Sequence, residues 1–403
     1  MEPKITKSII IAGLLGVFLF MGYKGESSSN LPSGPPIRVA VLKEIKALYL
    51  SIRGSYQIIN AATQEELTTG RSLPMTLLEA KKEGIKIGEE LYPIKKLKII
   101  TDKDITLKSG AKVFRYRGAM DFNIDEHGEL LVVNSLDLET YVKGVLYHEV
   151  SHRWPIEAIK AQAVAARTYA LYQIEQNKVQ PFDVTSDIYS QVYGGKSAER
   201  YRTNIAANRT RGEILTFQGK VLPAYFSANC GGHTEDVNEL WSYGDLPPLK
   251  GVVCPYCALT PTFNWKKNFR LKDVQDKLNQ AGYKIGLIKE IKISDRNDSN
   301  RIKNIIITSR DNQVVKISGR KFRDILGPNL VKSNNYEIFM RGYYMDLLGK
   351  GWGHGVGMCQ WGAFYMGRER FSYQEILSYY YPHSELVDYH ELDKAAPLKP
   401  KSK

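Results

Sequence analysis

Four cysteines in 403 residues are too few to staple a chain, which excludes a disulfide scaffold and leaves any special role for them to their spacing. Long apolar runs are almost as scarce: one occupies residues 8–23 (SIIIAGLLGVFLFMGY), close to the amino terminus. Acidic residues are in deficit, 43 against 56 Lys and Arg, and the resulting +13 suits an anionic polymer without choosing among nucleic acid, lipid surface and carboxylate-bearing glycan. What is present is ordinary globular material. A 43% hydrophobic, 25% charged chain of this length buries a sizeable core, so disorder as a whole is excluded.

The apolar run follows Lys4 and Lys7 and precedes a polar stretch rich in Ser and Pro, the arrangement of an export element. No A-x-A cleavage pattern follows it, so an uncleaved anchor over residues 1–23 with a tether over 24–36 is expected. Positive flanking charge then puts the remainder outside the cytoplasm, membrane-anchored in the envelope, or secreted if the segment is cut. Export also argues against a nucleic-acid partner, and the basic tail over 391–403 reads as a solvated terminus or a wall contact.

Residues 37–133 alternate short Val, Ile, Leu and Tyr runs with turn residues, a β pattern. From residue 136 the period becomes helical: Leu138, Val142 and Val145 form one stripe, and Pro155 opens a second, Ala-rich helix. Strand patterns then return, and FSYQEILSYYYP closes the chain with a helix. The expected fold class is α+β: β-rich sheets around a central helical pair, in one domain over 37–390 whose core with the site covers 134–385.

Glu149 ends the buried stripe of the first helix, so its carboxyl is expected to be partly desolvated, with raised proton affinity suited to a general acid. On the second helix Lys160 and Arg167, seven apart, share a face that invites an anion. His148, Glu149 and His152 also spell H-E-x-x-H, the pattern of a zinc peptidase. That motif needs helix beyond its second His, whereas Pro155 disfavours helical geometry at Trp154 and breaks the chain there.

The stretch LLVVNSLDLETYVKGVLYHEVSHRWPIEAIKAQAVAARTYAL, with SDIYSQVYGG, FSANCGGHTEDVNELW and GKGWGHGVGMCQWGA in order after it, resembles the stage II sporulation protein D and LytB amidase-enhancer family. The resemblance spans most of residues 37–385. It implies a peptidoglycan lytic transglycosylase with Glu149 as acid and base, Lys160 and Arg167 at active-site positions, and Gln191, Tyr193, Ser227, His354, Gln360 and Trp361 in substrate binding. It also implies denuded glycan strands as substrate and a cell-wall amidase as a possible partner, with a purely stimulatory, non-catalytic role as the alternative. The chemistry itself requires no cofactor. Cys359 stands where the family usually has Ser.

Cys230, His233, Cys254 and Cys257 form C-x₂-H followed by C-x₂-C, spacings that suit a structural, tetrahedral zinc. A disulfide among these cysteines is the alternative, since export leads to an oxidising compartment. In the glycine-rich run 349–362, His354 is expected to bond a sugar hydroxyl and Trp361 to stack on a pyranose, the alternative being a tight turn around a core Trp.

Overall fold

The structure, a computed structural model, describes residues 34–187 and 190–394. The apolar run over 8–23 and the end of the basic tail lie outside the described residues. Among the described residues no helix is long and apolar enough to cross a membrane.

The α+β expectation holds. Alternation of apolar and polar residues produces two sheets in the first part of the chain: in Ala47–Ile52, Leu48, Leu50 and Ile52 turn inward while Ala47 and Tyr49 stay exposed. Strand Pro36–Ile45 pairs antiparallel with Leu130–Asp137, whose other edge takes Ala119–Ile124 and then Lys96–Thr101. Ala47–Ile52 lies between Leu73–Lys81 and Ile105–Ser109 in the second sheet. Both sheets feed one apolar core.

Strand Leu130–Asp137 runs directly into helix α1 (Leu138–Glu149), because the Asp137 side chain accepts from the Thr140 N–H at 3.0 Å and caps the first turn. Helix α2 (Ile156–Gln176) starts one residue after Pro155. Its alanines explain its place. Ile159, Ala163, Ala166 and Ala170 join the sheet core, while Ala158, Ala161, Val164 and Ala165 join a second core on the opposite side, so α2 is buried on both faces. Small side chains allow that close approach.

Helix α3 (Tyr201–Arg209) packs on α2. The segment from 264 to 350 then builds a module with its own core, in which α4 (Leu271–Gln280) and α5 (Gly319–Leu326) pack with two three-stranded sheets around Val274, Phe322 and Met345. The sequence patterning had not separated this module from the rest of 134–385. The chain returns to the second core through α6 (Gln360–Arg368) and α7 (Tyr373–Tyr380), both packed on α2.

A fully buried ion pair locks α1 to α2. Arg167 Nε and Nη2 donate to the two carboxylate oxygens of Glu139 at 2.8 and 2.9 Å, and the same guanidinium donates to the carbonyls of Ala207 and Glu213. Glu139 also accepts from the Gly212 N–H and the Tyr389 hydroxyl. Truncating one partner strands the other charge away from water, so Arg167→Ala is expected to cost about 3–5 kcal/mol. Urea denaturation measures this; the double replacement Glu139→Leu with Arg167→Met should recover only part, because Gly212 N–H and two carbonyls remain unpaired.

Candidate active site

Glu149 is the last residue of α1, and Val150 is already extended at φ −139°, ψ 148°. The helix therefore ends five residues before the break that Pro155 was expected to impose at Trp154. The carboxyl is half-buried, between the joint of the two helices, residues 191–193 and the start of α6. The Val192 N–H donates to its Oε1 at 3.3 Å and Gln360 Nε2 to its Oε2 at 3.3 Å. Burial pushes its pKa up to about 7, and these two hydrogen bonds, which favour the carboxylate, only partly offset that.

Each donor is held by further contacts. Gln191 accepts from the Tyr141 hydroxyl at 2.9 Å and donates to the Ala166 carbonyl, tying the segment before Val192 to both helices. Tyr193, on the other side, donates to Asn134 Oδ1 at 2.7 Å and stacks on Tyr141 with ring centres 5.2 Å apart. Gly144 of α1 makes that stacking possible, since a Cβ there would lie 2.5 Å from the Tyr193 ring. Gln191 and Tyr193 thus position the loop from inside the core instead of facing a ligand. Gln360 also donates to Gln162 Oε1 at 3.4 Å, and Gln162 Nε2 is buried with no protein partner.

Lys160 and Arg167 are not bonded to Glu149. Arg167 spends its donors inside the protein, as described above, and Lys160 pairs with Glu157 at 2.7 Å and lies over the Tyr373 ring. Seven-residue spacing does put both on the same side of α2, but that side meets other elements of the fold, so the anion-binding face expected from the sequence is not formed.

The H-E-x-x-H pattern is also broken up. His148 is in the last turn of α1, whereas His152 follows it in a turn with its Nδ1 buried and unpartnered. Among the described residues, the group of three or more candidate metal ligands is a different one, made of cysteines.

A model of the stage II sporulation protein family matches residues 126–217, the region holding Glu149, α1 and α2. Over 277 residues the chain is 30% identical to stage II sporulation protein D of Bacillus amyloliquefaciens, covering 65% of this chain and 76% of that one. The chain belongs to the stage II sporulation protein D family. An uncharacterized protein of Brachyspira hyodysenteriae is 37% identical over 359 residues, 88% of this chain and 93% of that one. The amidase enhancer of Bacillus subtilis is 29% identical over 294 residues, 62% of this chain and 40% of that longer one. Residues 258–357, which include the separate module, match a domain of unknown function, DUF8618.

In this member of the stage II sporulation protein D family, the remaining sequence candidates separate into two neighbourhoods. Trp361, next to Gln360, packs against Trp154 at 5.0 Å and Phe364 at 5.2 Å and keeps part of its ring at the surface. Ser227, paired across a short parallel ladder with Cys359, has a buried hydroxyl with no protein partner. His354 lines a cavity of about 370 Å³ with Tyr169, Ser190, Tyr225, Trp241 and Arg320. Burial, aided by Arg301, lowers its pKa to about 4, which keeps the ring neutral, and its Nδ1 accepts from the Val356 N–H. Glu149 is not among the residues lining that cavity.

His233 does not join the cysteines, since its Nδ1 lies 2.6 Å from the Thr234 carbonyl oxygen. Cys359 takes the fourth place beside Cys230, Cys254 and Cys257. Sequence spacing missed it because it lies 102 residues beyond Cys257; its one signal was the thiol standing where the family usually has Ser. Gln162, also missed, is the lone amide in an otherwise apolar stretch of α2.

A carboxyl whose folded pKa lies above its unfolded value is destabilising once it must ionise. Glu149→Gln should therefore be more stable than the parent at pH 8 by about 1–3 kcal/mol, with the difference shrinking as pH falls through about 7 and gone below the ordinary carboxylate range. Urea midpoints at pH 4 and pH 8 test this, and equal offsets at both would contradict a raised pKa.

Proposed function

We propose that this protein is a peptidoglycan lytic transglycosylase in which Glu149 serves as both acid and base. The observation that carries the reading is one half-buried carboxyl whose pKa of about 7 lets it hold a proton and release it near neutral pH. Membership of the stage II sporulation protein D family supports a role in the cell wall. The reaction needs one such group. Protonated Glu149 donates to the glycosidic oxygen as the bond from MurNAc C1 to GlcNAc breaks, and the departing GlcNAc leaves with that proton as its new hydroxyl. The resulting carboxylate takes the proton of the sugar's own C6 hydroxyl while that oxygen bonds to C1, closing the 1,6-anhydro ring. The proton count returns to its starting value, and no water is consumed.

Residues around Glu149 suit the two halves of this cycle. The N–H groups of Val192 and Gln360 meet the carboxylate formed after the first half, and the enclosing protein favours the protonated form needed to begin again. The part-exposed Trp361 ring suits the apolar face of a sugar. On the same reading the globular part works outside the cytoplasm, tethered through residues 8–23.

The amidase enhancer among the relatives favours a second reading, in which the protein binds glycan and stimulates a wall amidase without cutting sugar. Mass spectrometry of digested glycan separates the two. Glu149→Gln should abolish 1,6-anhydro-MurNAc ends while His148→Ala and His152→Ala retain most of them. A folded parent protein that releases no sugar fragment yet accelerates an amidase on sacculi would establish the second reading instead. Activity of the parent should fall as pH rises through about 7, because the acid form is lost. Gln360→Ala removes a bond to the carboxylate and should move that limb upward, by about one pH unit at most.

A further inference from the structure

Cys230, Cys254, Cys257 and Cys359 are all buried and free, and their sulfur atoms lie within 4.8 Å of one another. Zinc bonded to four thiolates at about 2.3 Å sets its sulfurs about 3.8 Å apart. The Cys230 and Cys257 sulfurs are 3.6 Å apart. The surrounding chain fits a metal. Cys254-Pro255-Tyr256-Cys257 and Cys230-Gly231-Gly232 are tight turns, the second passing through φ +75° and +109°, which glycine alone adopts freely.

Donors point at the sulfurs. The backbone N–H groups of Cys230 and Gly362 donate to Cys359 Sγ at 3.2 and 3.3 Å, and the Tyr380 hydroxyl sits 3.1 Å from Cys254 Sγ. Gly362 leaves no room for anything larger, because a Cβ there would lie 2.9 Å from Cys254 Sγ and clash with the Tyr380 hydroxyl. Arg301, itself buried, donates to the Cys230 and His233 carbonyls and brings a positive charge beside the cluster. Arg301 is itself paired with the buried Glu235 at 4.0 Å, so the amino end of α6 and the N–H groups that donate to Cys359 Sγ are what offset the two negative charges left when four thiolates hold one divalent ion.

We propose that the four cysteines form a closed tetrathiolate zinc site that fixes the start of α6 and, through it, the side chain of Gln360. With four protein ligands the ion has no open position for substrate, so its part is structural. Cys359 is the N-cap of α6 and the residue immediately before Gln360, whose amide reaches Glu149 and Gln162. The metal therefore joins three separate stretches, around residues 230, 254–257 and 359, at the one point where the last of them meets the candidate catalytic carboxyl. His233 plays no part in it. Metal content and ligand identity at this site are independent of the reaction proposed for Glu149.

The test uses the full chain purified in a mild detergent. Elemental analysis should find one zinc per chain, and intact-mass analysis should find four reduced cysteines after the metal is removed. Cobalt exchanged into the site should show the intense d–d bands of tetrahedral coordination with thiolate charge-transfer absorption. Cys359→Ser should reduce the charge-transfer intensity by about a quarter or abolish cobalt binding, and His233→Ala should leave the spectrum unchanged. Should Cys359→Ser fail to fold, the parent's metal content and cobalt spectrum provide the folded-protein arm. The proposal is overturned by a parent that binds no stoichiometric metal, by a Cys254–Cys257 or other disulfide in the parent, or by a His233→Ala protein that loses the spectrum.

Discussion

Everything near Glu149 depends on the two helices that meet there being held in one relative position, and the Arg167–Glu139 pair supplies that constraint. It is bidentate, fully buried and shared with backbone groups from the chain after α3 and with Tyr389 close to the end of the described residues. A charge pair removed from water gains little over an apolar contact in net stability, but it tolerates no slippage, because any shift leaves an ionised group unpaired. Rigidity of the helix pair matters more here than strength. Two N–H donors have to meet one carboxyl from segments that are 43 and 211 residues away in sequence.

Helix α2 has a comparable role in packing. Its alanine-rich surface is buried against the sheet core on one side and against α6 and α7 on the other, so the helix is the common wall of two cores. α1 approaches from one side with Glu149, and α6 from the other with Gln360. The polar residues that α2 contributes at this junction are few: Gln162 meets Gln360, and Thr168 donates to the Val164 carbonyl while accepting from the Leu215 N–H. A bulkier helix would have pushed the two walls apart.

Desolvation then acts on Glu149 in a graded way. The carboxyl is enclosed enough for its proton affinity to rise, yet it keeps a solvent-exposed edge and two hydrogen-bond donors. Complete enclosure would hold the proton too firmly for the base half of the proposed cycle, and full exposure would release it too early for its acid half. The cysteine cluster and the Arg301 contact lie beyond Gln360, joining this junction to the module that lies within the DUF8618 match.

The sequence alone determined the β-rich first part, the helix pair with its break ahead of Pro155, and Glu149 as the acidic end of a buried stripe, because these follow from local periodicity and backbone sterics. It also carried the family, through motifs long enough to be specific. Tertiary structure decided the partners. Spacing along α2 placed Lys160 and Arg167 on one face but could not show that Glu139, 28 residues earlier, would neutralise the arginine. Likewise C-x₂-H followed by C-x₂-C presented His233 as the fourth ligand, whereas folding brought Cys359 across from another segment and turned His233 towards its neighbour's carbonyl. Which side chains meet across long loops is set by the packing of whole elements, and no local pattern encodes it.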